Sequence, residues 1–329
     1  MVNIILEDCP QILKDFLFYM ETILNRSPST VLSYYYDLKL FLRFIKKRKI
    51  NTANNISFNE IKIEDVDAEL ISRITTSDIY EFIHFITHEN NNKSYARSRK
   101  VSTLRSFFKY LTQKTHLLEY NPMSELENPK KSKSIVKFLT IEQSISLLNN
   151  IESKFKERDY CILVLFLNCG LRLSELVGIN ECDIKENKLV VTGKGNKQRL
   201  VYLNEACLDA IKNYKEFKSK KYKDTLKNEP ALFISRNMKR IDKRSVQMIV
   251  QKHLKSANLD AMGFSTHKLR HTAATLMYQH GNVDVRTLQE ILGHENLSTT
   301  QIYTHVSNSQ AQKAIESNPL SNFKPKDVK

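Results

Sequence analysis

Residues 28–48 carry apolar side chains at Val31, Tyr34, Tyr35, Leu38, Phe41, Leu42 and Ile45. Steps of three and four bring such residues onto one face of an α-helix, and no strand does the same. Ser27 or Ser29, beside Pro28, supplies an N-cap for this helix. Residues 11–25 read as a helix before it. A third helix opens near Thr76 or Ser77, with Asp78 and Glu81 in its first turn and Ile79, Phe82, Ile83 and Ile86 as its apolar face. Between them, residues 51–75 are polar and Asn-rich and read as a loop or a short extra element. Seven Gly and seven Pro in 329 residues argue against a loop-rich or all-β chain.

A fourth helix follows over "YARSRKVSTLRSFFKYLTQK". Tyr95, Val101, Leu104, Phe107, Phe108 and Leu111 form its buried stripe. No acid occurs from Asn90 to Leu118, which leaves Lys93, Arg97, Arg99, Lys100 and Arg105 as a cationic outer face suited to phosphates. The stretch "YNPMSELENPKKSKSIVKFLT" has two Pro, a Lys cluster and little apolar content, and reads as an exposed linker. The chain is long enough for two domains, placed at 1–118 and 135–329 with 119–134 between them.

In the second domain, Thr140 caps a helix with Gln143 at the capping-box position. An apolar helix over 157–168 stops at "CG", and "RLSELVGI" is a short helix. "KLVVTGKGNKQRLVYL" reads as two β-rich runs, Leu189–Thr192 and Leu200–Leu203, around a basic turn. Everything beyond is mainly helical. The expected fold is mainly α, with a small β-sheet in the second domain.

The balance of 51 Lys+Arg against 36 Asp+Glu leaves a formal charge of +15, spread over both halves. Such a surplus suits an extended polyanion. The five cysteines show no C-x-x-C pattern, and Cys161, Cys169, Cys182 and Cys207, in or beside apolar runs, read as small buried thiols in a reducing compartment. The sequence shows no basic leader and no 18-residue apolar run, so the expectation is a cytoplasmic protein with no membrane span.

Four short segments carry the chemistry. "NCGLRLSEL" places Arg172 after a Gly that ends a helix, three residues from Glu175, with which it can form a local ion pair. "TGKGNKQR" lacks the P-loop pattern and sits between strands, so it reads as a hairpin tip presenting Lys194 or Lys197. "STHKLRHTAATLM" puts His267 and Arg270 on one helix face near an N-cap at Ser265 or Thr266, able to address one anion together. His267 and His271 have H-x-x-x-H spacing, but Lys268 occupies the acid's place and no third ligand follows, which argues against zinc. "LGHENLSTTQIYTHV" adds His294 and Tyr303. Arginines bind phosphate oxygens and stabilise charge on a pentacoordinate phosphorus. Histidine shuttles protons and lysine protonates a leaving alkoxide. Clustered cations favour the phenolate of a tyrosine nucleophile. The set fits phosphoryl transfer with no metal and no cofactor.

With "GLRLSEL", "TGKGNKQR", "HKLRH", "LGHENLSTTQIYTHV" and the terminal "AIESNPL" in this order, the chain resembles the tyrosine recombinases, and among them the Xer-type chromosome-resolving recombinases. The resemblance implies that Arg172 and Arg270 clamp the scissile phosphate and that Lys194 is the general acid for the 5′-oxygen. It implies that His267 assists proton transfer, His294 bonds a phosphate oxygen or orients the nucleophile, and Tyr303 attacks phosphorus. Glu175 matches the family's supporting acid. Lys93, Arg97, Arg99, Lys100, Arg105, Lys197 and Arg199 are the candidate DNA contacts.

The family architecture implies a helical, SAM-like core-binding domain and a catalytic domain that close as a C-shaped clamp on DNA. Its partners would be a double-stranded recombination site and a homo- or hetero-tetramer on two duplexes, with segment 308–323 docking on a neighbouring subunit and a septal DNA translocase as a candidate activator. An integrase of a phage or conjugative element, a DNA-relaxing topoisomerase and a non-catalytic DNA-binding protein stay open as alternatives.

Overall fold

The computed structural model describes residues 9–50, 56–88, 94–127, 137–222, 229–281, 283–293 and 300. They divide into two compact units, residues 1–134 and 135–329. Both are mostly helical, and the second holds a small sheet.

In the first unit, α1 (Gln11–Phe18) runs into a single π-helical turn at Tyr19–Ile23. Then come α2 (Pro28–Lys49), α3 (Ala68–Ser72), α4 (Thr76–His88) and α5 (Ser94–Gln113). Ser27 stands at the N-cap of α2 and Pro28 opens the helix, where a missing N–H costs nothing. The periodic residues Val31, Tyr35, Leu38, Phe41, Leu42 and Ile45 are buried as their spacing requires. They meet an aromatic core. Phe41 packs edge-on against Phe82 at 5.0 Å between ring centroids, and Phe16 against Phe107 at 5.2 Å.

The stretch between α2 and α4 is more than a polar connection. Ile61, Ile63, Val66, Ile71 and Ile74 are buried, so a sparse apolar residue every few positions anchors it to the core. Helix α2 also holds it by the backbone, with Arg43 Nε donating to the Ile61 carbonyl and Lys46 Nζ to that of Lys62. The expected exposed linker differs too. Met123 and Leu126 are buried in the first unit, Thr76 Oγ1 donates to the Pro122 carbonyl, and Arg105 Nη2 donates to that of Leu126. Residues 119–127 are therefore anchored to this unit by Met123 and Leu126, while Tyr120 and most of their neighbours stay exposed.

The second unit begins with Leu139, whose N–H donates to Thr272 Oγ1. In α6 (Ile141–Asn149), Thr140 and Gln143 form the reciprocal capping box. Helix α7 (Lys156–Cys169) buries Cys161 through Phe166 without interruption, which makes it the central helix of the unit. It packs between α9 (Glu205–Tyr222) and α11 (Thr266–His280). Short α8 (Leu173–Gly178) leads to an antiparallel sheet of β1 (Ile184–Lys185), β2 (Lys188–Thr192) and β3 (Gln198–Tyr202). Helix α10 (Lys243–Ser256) precedes α11, and α12 (Val285–Leu292) packs on α11 through Leu288, Leu292 and Ala274. Cys161, Cys169 and Cys207 are buried, as expected, and so is Cys9; Cys182 instead lies exposed on a 3-10 turn. No helix among the described residues is long and apolar enough to cross a membrane.

Candidate active site

Gly170 ends α7 in the left-handed conformation, with φ +57°, where a side chain is strained. The chain turns there and presents Arg172 as the residue before α8. Glu175, in the first turn of α8, accepts from the Arg172 backbone N–H at 2.8 Å and from Arg172 Nη1 at 2.7 Å. The local ion pair suggested by the spacing exists, but it belongs to a larger cluster.

The side chain of Glu175 is fully buried, and Arg199 of β3 reaches it from 24 residues away. Arg199 Nη2 donates to Oε2 at 2.8 Å and Nε to Oε1 at 3.3 Å. Arg270 of α11 brings Nη1 within 3.8 Å of Oε2. Burial opposes the charge of Glu175, but hydrogen bonds and charge from Arg199, together with the Arg172 backbone and side chain, outweigh it. The carboxyl is held below its ordinary range. Four hydrogen bonds match the lone-pair capacity of a carboxylate.

The remaining donors converge on the C-terminus of α12. Arg199 Nη1 donates to the Ile291 carbonyl at 2.5 Å, Arg270 Nη2 to Leu292 at 2.6 Å, and Arg172 Nη2 to Gly293 at 2.6 Å. Three successive carbonyls thus meet three different arginines. These groups lack helical partners and carry the negative end of the helix dipole, so cations are favoured there. Arg270 Nη1 also donates to the Gly170 carbonyl at 2.5 Å. Gly293 is left-handed at φ +63°, and a Cβ on it would lie 2.6 Å from Arg199 Cδ.

On α11, Ser265 stands at the N-cap and Thr266 opens the helix. His267 and His271 lie with ring centroids 4.4 Å apart. Burial, then the charges of Arg270 and Arg172, push the His267 imidazole below its ordinary value. His271, half-buried, is pushed down to about 4 by burial and by His267, Arg270 and Lys268. Both rings are neutral near pH 7, so His267 can accept a proton beside cations that repel its charged form.

Arg172, Glu175, His267 and Arg270 are thus brought together. Lys194 lies on the turn between β2 and β3. His294, Tyr303, Lys93 and segment 308–323 lie outside the described residues. Lys197 is exposed beside the hairpin turn. Arg199 was placed among the DNA contacts by sequence, yet it sits inside the cluster. Period-two alternation carried the signal: Arg199 pairs with buried Val191 and stands two residues before buried Val201, so it faces inward.

The outer face expected on α5 is only partly outward. Asp37 of α2, 2% exposed, bonds Arg99 at 2.7 Å and lies 3.4 Å from Lys100, which is itself buried. An acid from a neighbouring helix thus answers an acid-free segment. Arg97 donates to Thr87 Oγ1.

Residues 137–310 match the model of the phage integrase family. A tyrosine recombinase XerC of Caldanaerobacter subterraneus subsp. tengcongensis is 54% identical over 312 residues, covering 95% of this chain and 88% of the relative. A tyrosine recombinase XerC of Natranaerobius thermophilus is 35% identical over 305 residues, 91% and 95% of the two chains. The fold is similar to that of the XerH site-specific recombinase in a post-cleavage complex with its palindromic difH substrate. The TM-score is 0.66 at 19% identity, over 93% of this chain and 94% of that one. It is also similar to the Tn1549 transposon integrase in complex with circular intermediate DNA, with TM-score 0.67 at 18% identity over 93% and 99%. This chain belongs to the phage integrase family, the tyrosine recombinases, and is a DNA breaking-and-rejoining enzyme. Within the family its sequence similarity runs to the Xer-type recombinases.

Proposed function

We propose that the chain exchanges DNA strands at a specific duplex site through a covalent phosphotyrosyl intermediate, and that its substrate is the dimeric chromosome. The observation that supports this reading best is the gathering of Arg172, Arg199 and Arg270 around the single carboxylate of Glu175. Three guanidinium groups and one acid leave positive charge, with a neutral His267 beside it. A phosphodiester would be held there by Arg172, whose side chain is 36% exposed, and by Arg270.

In the reaction proposed, Tyr303 Oη attacks phosphorus and its proton passes to His267. The P–O5′ bond breaks, and the departing 5′-oxygen takes a proton from Lys194. His294 donates to a phosphate oxygen. A 3′-phosphotyrosyl ester replaces a phosphodiester of similar energy, so the reverse attack by another 5′-hydroxyl needs no ATP. The first unit would act as the core-binding domain and the second as the catalytic domain. Duplex DNA, a tetramer on two duplexes, subunit docking through 308–323, an activating translocase and a cytoplasmic setting belong to the same reading. The 54% identity over nearly the whole chain to a XerC supports it over an integrase of a mobile element.

Covalent capture on a library of nicked suicide duplexes tests the reading. The wild-type chain should become linked to a 3′ end at a defined site, and Tyr303→Phe should give no adduct. An adduct that persists in Tyr303→Phe refutes the assignment of the nucleophile.

A further inference from the structure

We infer that Arg199 is a positioning residue, one that registers the hairpin turn bearing Lys194 and the chain leading to His294 against Glu175. The inference rests on the roles proposed above for Lys194 and His294.

Its geometry differs from that of Arg172, the most exposed arginine of the cluster. All three guanidinium nitrogens of Arg199 donate within the protein, two to Glu175 and one to the Ile291 carbonyl. Its side chain is 13% exposed, against 36% for Arg172. Arg172 can turn Nη2 from the Gly293 carbonyl to a phosphate oxygen and keep Glu175 through Nη1 and its backbone N–H. Turning Arg199 Nη1 away would release the Ile291 carbonyl, and because the fork is planar the same rotation would carry Nη2 and Nε off Glu175. It therefore holds the frame while Arg172 turns toward the phosphate.

The elements joined are the ones that matter for the reaction. Arg199 is the second residue of β3, close behind the turn carrying Lys194. Ile291 lies in the last turn of α12, three residues before His294. One guanidinium fork thus fixes a general acid's turn and a phosphate donor's approach to the same carboxylate. A lysine keeps the charge and can meet Glu175, but it is a point donor on a flexible stem and cannot hold both oxygens and a carbonyl at fixed angles.

The test uses the full-length chain and the suicide duplex identified by capture with the wild-type protein. DNA affinity and the single-turnover rate of covalent complex formation at saturating protein are measured separately. Arg199→Lys should lower the saturated rate by about 10- to 100-fold, the scale of a small misplacement of reacting groups, with affinity near wild type. Gly293→Ala displaces Arg199 from the other side, because its Cβ would strike Cδ. It should lower the same rate.

A wild-type saturated rate in Arg199→Lys overturns the inference. So does weakened affinity with an unchanged saturated rate, which would make Arg199 a phosphate contact. If Arg199→Lys does not fold, Gly293→Ala decides, and full-rate cleavage by it sinks the proposal. Failure of the wild-type chain to form any Tyr303-dependent adduct instead removes the functional reading itself.

Discussion

Each unit buries a carboxylate against basic side chains, Asp37 in the first and Glu175 in the second, and the two clusters differ in how their charges balance. Asp37 meets one guanidinium and one ammonium, from Arg99 and Lys100, and also accepts from Thr103 Oγ1 at 3.0 Å. These contacts tie α2 to α5 inside a core of phenylalanines. Glu175 meets three guanidinium groups, and their spare donors go to main-chain carbonyls. A carbonyl is a weaker partner for an arginine than a phosphate oxygen. The first cluster is a cross-brace. The second contains a socket, because the Gly293 carbonyl on Arg172 is a replaceable acceptor.

Removing each acid separates the two. Glu175→Gln places an amide NH₂ against arginine donors and leaves buried guanidinium groups uncompensated. It should cost about 3–5 kcal/mol of stability, the usual penalty for breaking a buried pair. It should also lower covalent complex formation by about 100-fold or more in the protein that remains folded. Urea unfolding and single-turnover cleavage measure the two effects, and a variant that loses stability but cleaves normally would make Glu175 another cross-brace.

Asp37→Asn should cost about 1–3 kcal/mol, the penalty for unsatisfied buried partners, with the saturated cleavage rate unchanged. A fall in that rate would show that the Asp37 cluster reaches the chemistry and would erase the contrast.

A third effect lies in pH. His271 has a folded pKa of about 4 against an ordinary value of 6.5, so the unfolded chain binds its proton first as pH drops. The stability held by the neutral ring is complete above pH 6.5 and is lost as pH falls toward 4. His271→Gln should flatten that part of the thermal-midpoint profile, while His267, also pushed down, keeps a remainder. An unchanged slope would mean that neither burial nor the neighbouring cations hold the His271 ring neutral.

Much of this arrangement was legible in the sequence because it is local. Helical spacing placed the core of α2, the Thr140–Gln143 pair marked the start of α6, and the three-residue step from Arg172 to Glu175 marked their ion pair. What escaped depends on distant partners. Asp37 lies more than 60 residues from Arg99, and nothing near Arg99 announces a buried acid. The isoleucines of 61–74 are too sparse to show a period, although each is buried. Arg199 showed its inward face through the alternation of β3, but its partner Ile291 supplies only a carbonyl, which every residue has.

That last contact bears on how the site tolerates inherited change. Because the three arginines hold α12 by its backbone, substitutions at Ile291 that preserve the helix leave the grip intact. The side chain there can drift across lineages without loss of the contact. Gly293 has no such freedom, since any side chain meets both a left-handed backbone and Arg199. Along one stretch of three residues, mutational latitude and near-complete intolerance therefore stand two positions apart.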